Sequence, residues 1–99
     1  MKKIAEAVEL ALVIMKKHGL SDWGLVLTHS KNVFGMCDFG NREISLSMYL
    51  IKTRGKKELK DTILHEVAHA LRGEVFHDRE WKNIALKLGA KPYSKYRAD

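Results

Sequence analysis

Residues 62–71 read Thr62-Ile63-Leu64-His65-Glu66-Val67-Ala68-His69-Ala70-Leu71, and the pentapeptide His65-Glu66-Val67-Ala68-His69 within them decides how the rest of the chain is read. The surrounding apolar residues fall at helical spacing: Leu59, Ile63, Val67 and Ala70 trace one stripe, and Leu64, Ala68 and Leu71 an adjoining one. This predicts a helix from about Lys57 to Leu71, ending near Gly73, buried over a wide arc and lining a cleft with its remaining side. On that side His65 and His69 lie one turn apart, so their imidazoles converge on one point. Two neutral imidazoles and a third ligand leave a tetrahedral Zn²⁺ one open position for water. Glu66 stands where a carboxylate would take a proton from that water as it attacks a carbonyl. A buried histidine pair beside a surface glutamate is the plainer alternative.

Downstream, Arg72 to His77 reads as a loop and Asp78 as an N-cap. A helix follows from Arg79 to Leu88, stopped by Gly89 and Pro92, with Trp81, Ile84, Ala85 and Leu88 toward the core. Three residues are candidates to complete the metal site: His77, Glu74 and Asp78. His77 is a usual zinc ligand at a helix start, where its position would be fixed. Upstream, Ile4, Val8, Ala11, Leu12 and Met15 mark an amphipathic helix over residues 3–18, with Gly19 as its C-terminal cap. His18 in its last turn suits the helix dipole. The period then changes. Trp23 to Thr28, Val33 to Phe39 and Arg42 to Ser47 read as strands, the last with Ile44 and Leu46 inward. Turns at Ser30-Lys31-Asn32 and Gly40-Asn41 would join them into a three-stranded antiparallel meander. Ser47 can cap a short helix from Met48 to about Lys52. The expected class is therefore α+β: an N-terminal helix, a three-stranded antiparallel sheet, the central motif helix beneath it, and a C-terminal helix.

Ninety-nine residues suffice for one domain, residues 1–99, with a modest core. Eighteen Lys+Arg against twelve Asp+Glu give a net charge of +6, split evenly along the chain, so neither half is a basic tail. That balance permits contact with DNA or another polyanion through Lys52–Lys60 and through Lys91–Arg97, where aromatics alternate with cations. The single cysteine, Cys37, excludes a disulfide framework or a cysteine-based zinc ribbon within the chain; on a strand it reads as a small hydrophobe. No stretch approaches the ~20 apolar residues of a membrane span. Glu6 and Glu9 interrupt the early apolar run that would otherwise mimic a signal peptide. A cytoplasmic location is expected, with no membrane contact.

The run from Thr62 to Leu71, followed by His77-Asp78-Arg79-Glu80-Trp81-Lys82, resembles the SprT-like family of zinc metalloproteases. That family's pattern is a helix with H-E-x-x-H-A, a short loop, and a third His before a helix with an aromatic residue four positions on, here Trp81. Trp23, Gly35-Met36-Cys37 and Ile44-Ser45-Leu46-Ser47 also resemble its W…G-x-C…I-x-L-S strand pattern. The resemblance spans roughly residues 20–92. It implies one Zn²⁺ per chain held by His65, His69 and His77, with Glu66 as the catalytic base in peptide-bond hydrolysis of protein or peptide substrates, including DNA-associated proteins. Two departures stand out. The third His, commonly followed by Gly, is followed by Asp78, and the C-terminal zinc-binding subdomain of many members has no counterpart here, as in a minimal catalytic core. Tyr49, Tyr93 and Tyr96 are the phenols available to assist an oxyanion, and the sequence selects none of them. The competing classes are a non-catalytic, zinc-stabilised DNA- or protein-binding module, and a basic nucleic-acid-binding domain that holds no metal. Ligand type alone does not separate zinc from its neighbours in the Irving–Williams order.

Overall fold

The computed structural model describes residues 2–74 and 76–91. Its elements, in chain order, are α1 (Lys2–Lys17), β1 (Gly24–Thr28), β2 (Gly35–Asp38), β3 (Glu43–Ser47), α2 (Met48–Thr53), α3 (Lys56–Arg72) and α4 (Arg79–Leu88). Ile44 and Leu46 are fully buried, which makes β3 the strand with most to gain from a central position, and the sheet order is β1-β3-β2. The α+β class holds, but the sheet is mixed and not the expected antiparallel meander. β3 runs parallel to β1, with Leu25 opposite Ile44 and Leu27 opposite Leu46. It runs antiparallel to β2, with Cys37 opposite Ile44 and Gly35 opposite Leu46.

The link from β1 to β2 explains the difference. Ser30 does turn the chain, its Oγ accepting the N–H groups of Asn32 (3.2 Å) and Val33 (2.9 Å). The turn is then tied to the end of β3, not to β1. Ser47 Oγ–H donates to the Ser30 carbonyl (2.6 Å), and Ser47 N–H donates to the Phe34 carbonyl (2.9 Å). The chain therefore passes the end of β3 and lays β2 on its far side. Ser47 also accepts the Leu50 N–H as the cap of α2.

α3 lies across β2 and β3; α1 packs against α3, α2 and β1, and α4 packs against α3. The core-facing side of α1 is rotated from the expected one. Ala7 and Ile14 join Ile4, Ala11 and Met15 in the core, whereas Leu12 is 46% exposed. Small side chains at Ala7 and Ala11 let the helix approach closely, so burial follows the alanines and not the larger Leu12. Leu71, expected in the second stripe of the motif helix, is likewise exposed. Trp81 and Ala85 of α4 are fully buried. Among the described residues no helix is long and apolar enough to cross a membrane.

Candidate metal centre

α3 is a continuous helix through the motif, so His65 and His69 project from successive turns while Val67 and Ala68 between them are sealed into the core. Gly73 ends the helix at φ 82°, its N–H donating to the His69 carbonyl (2.8 Å). The chain then folds back, and Asp78 opens α4 by accepting the Trp81 N–H (3.0 Å). This return brings His77 to the histidine pair. The three Nε2 atoms form a nearly equilateral triangle: 3.2 Å from His65 to His69, 3.0 Å from His69 to His77 and 3.1 Å from His65 to His77.

Three neutral imidazoles meeting edge to edge leave their lone pairs crowded together unless a cation sits among them. The triangle fits one. Zinc–imidazole bonds of about 2.0–2.1 Å in a tetrahedron set nitrogens ~3.3 Å apart and leave a fourth position open. Of the described His, Cys, Asp and Glu residues, these three form the group able to hold a metal ion. His69 Nδ1–H donates to the Glu74 carbonyl (3.1 Å), which fixes the tautomer and points the Nε2 lone pair at the shared centre. Trp81 forms the floor, its ring centroid 4.7 Å from His65, 5.4 Å from His69 and 4.8 Å from His77. Its indole N–H reaches the His65 carbonyl (3.4 Å).

The other two candidate ligands have different work. Glu74 turns its main-chain carbonyl to the site, and its residue is exposed. Asp78 caps α4 and accepts a two-point contact from Arg72, with Nε to Oδ1 at 3.2 Å and an Nη to Oδ2 at 2.8 Å. The Arg72 hydrogen bonds, then the Trp81 N–H, hold the Asp78 carboxyl down at about 2. Arg72 is raised in turn, chiefly by the hydrogen bond to Asp78. The sequence reading missed Arg72, because nothing local marks a helix-ending arginine as the partner of an aspartate across a loop.

Glu66 is 2% exposed and faces β2. A Cβ on Gly35 would lie 2.9 Å from Glu66 Cγ, 3.1 Å from its Oε2 and 3.0 Å from Thr62 Cγ2. Glycine is thus what lets the strand approach the carboxylate, a role signalled by a glycine opening a strand run. Cys37, two residues along on the same strand face, is half-buried, and its thiol is pushed up to about 12, first by burial and then by Glu66 and Asp38. The shift disfavours the reactive thiolate. His18 and His29 stand outside the cluster. Tyr49 rests on Phe34, while Tyr93 and Tyr96 lie outside the described residues.

The DNA contact expected of the basic segments finds no support. Lys57, Lys60 and Lys91 line a groove shared with Glu58, Asp61 and Leu64 of α3, so its cations are interleaved with carboxylates. The Lys91–Arg97 segment falls almost wholly outside the described residues.

The SprT-like family model matches residues 6–98. No curated protein matches the sequence. Solved structures of similar fold include two metallopeptidase zymogens. The metallopeptidase zymogen jannalysin of Methanocaldococcus jannaschii superposes with a TM-score of 0.72 at 16% identity, over 82% of this chain and 79% of that one. The metallopeptidase zymogen abylysin of Pyrococcus abyssi gives 0.65 at 17% identity, over 85% of this chain and 77% of that one. At such identities the likeness is one of fold.

Proposed function

Because the chain belongs to the SprT-like family, we propose that it is a zinc-dependent metallopeptidase acting on proteins or peptides, with Zn²⁺ held by His65, His69 and His77 and Glu66 as its catalytic base. The observation that carries this reading is the triangle of Nε2 atoms, 3.0–3.2 Å on each side, with Glu66 buried next to His65 on the same helix. The family and the two structurally similar metallopeptidase zymogens support the choice of reaction. When bound, the ion acts as a Lewis acid toward water and the scissile carbonyl.

The chain's own residues do the rest. Glu66 accepts the proton of the attacking water as its oxygen bonds to the carbonyl carbon, and delivers that proton to the nitrogen as the C–N bond breaks. Gly35 brings β2 close against Glu66 and limits where its carboxylate can lie. β2 is an edge strand bordering that carboxylate, so an extended substrate can add to it through main-chain hydrogen bonds and lay a peptide bond across the site. DNA-associated substrates form no part of this proposal, since the groove that holds Lys57, Lys60 and Lys91 also carries Glu58 and Asp61.

Glu66→Gln is the test. The variant keeps zinc and loses hydrolysis of an unfolded protein substrate by at least ~10²-fold, in line with the worth of a positioned proton acceptor. Hydrolysis at the wild-type rate would remove Glu66 from the mechanism. A wild type that binds zinc and cleaves no protein would favour the non-catalytic zinc module.

A further inference from the structure

Two of the three histidines are brought together by one helix, since His65 and His69 both belong to α3. His77 lies in the loop after that helix, and on its own the triangle of lone pairs would push it outward. One carboxylate opposes this. Asp78, the next residue, takes two hydrogen bonds from Arg72, the last residue of α3, and also accepts the Trp81 N–H in the first turn of α4. Arg72 is largely shielded, its side chain 20% exposed, and its Nη also lies 3.4 Å from Glu80. The fork ties the residue that caps α4, next to His77, to the residue that ends α3, so the position of His77 is restrained before any ligand binds.

We propose that the Arg72–Asp78 pair is a positioning clamp that preorganises His77 for the metal. This inference rests on the reading that His77 is a ligand. It also gives a physical reason for the residue after the third histidine in this chain, since a glycine there could supply neither the cap nor the acceptor for Arg72. Neither residue touches the reacting atoms; both act through His77.

The experiment is chelator competition for zinc with the wild type, His77→Ala, Arg72→Met, Asp78→Asn and the Arg72→Met/Asp78→Asn double variant, each checked for folding by circular dichroism. Asp78→Asn keeps a good helix cap while weakening the fork, so it decides the matter if Arg72→Met fails to fold. Each single variant is expected to weaken zinc binding on the order of 10-fold, the lower end for residues that orient a ligand. The double variant should be no weaker than the worse single one, because both changes remove the same contact. Arg72→Lys should restore part of the affinity, as a point charge without the fork. Folded single variants with wild-type zinc affinity, or additive losses in the double, would overturn the clamp. Unchanged affinity in His77→Ala would instead overturn the ligand assignment beneath it.

Discussion

The two halves of the histidine triangle are built on different principles. His65 and His69 are placed by the pitch of α3, and their convergence follows from a spacing of four. His77 is placed by a chain reversal that depends on Gly73 at φ 82°, on the Glu74 carbonyl bonding His69, on the Arg72–Asp78 fork and on the Asp78 cap of α4. The first half is local and rigid. The second is tertiary and holds only as well as its several contacts do, so changes at a distance from the centre should displace His77 and leave His65 and His69 in place.

The largest expected effect breaks the floor under both halves. Trp81→Ala opens a cavity against all three imidazoles and should destabilise the fold by about 3–5 kcal/mol, read by denaturant unfolding. Trp81→Phe, which keeps most of the ring and drops only the indole N–H to His65, should lose much less. Equal losses from the two would place the value of Trp81 in its hydrogen bond and not in packing. Gly35→Ala sharpens the comparison on the α3 side. Its Cβ must displace Glu66 or β2, at about 1–3 kcal/mol for overpacking, so hydrolysis should fall at least tenfold while zinc stays bound. Loss of zinc along with activity would mean that β2 supports the histidines as well as the carboxylate. Ser47→Ala, remote from the site, removes the α2 cap and the tie to Ser30 and should lower stability by about 1–2 kcal/mol with zinc affinity unchanged.

The smallest effect concerns Cys37. Its folded-state value, about 12, lies above the ordinary 9.0, so the folded protein holds the proton more tightly than the unfolded chain. The associated stability is fully present below about pH 9 and is lost as pH rises from there toward 12. Thiol alkylation at pH 8 should accordingly be at least ~10-fold slower in the native protein than in the denatured chain. Equal rates would contradict the burial assigned to this strand.

The same division between local and tertiary governs what could be read from the sequence. The motif helix, the Asp78 cap, the Gly89 stop and the glycine that ends α1 were legible because each is a rule about neighbours in the chain. The order of the sheet was not. Ser30-Lys31-Asn32 has turn chemistry, but the direction in which the turn sends the chain is set by Ser47, seventeen residues away. The face of α1 was misjudged for a related reason: alanine burial reports the closeness of another helix, which a single helix's periodicity does not contain. Arg72 escaped because its value lies in a partner across a loop, and Gly35, though part of the strand pattern, is explained only by the carboxylate packed beside it.

The most direct test is metal content per chain for the wild type and His77→Ala, purified side by side and offered zinc. The three-histidine account predicts one zinc per chain in the wild type and a marked loss in the variant. One zinc in both would place the third ligand elsewhere, and no zinc in either would end the metallopeptidase reading.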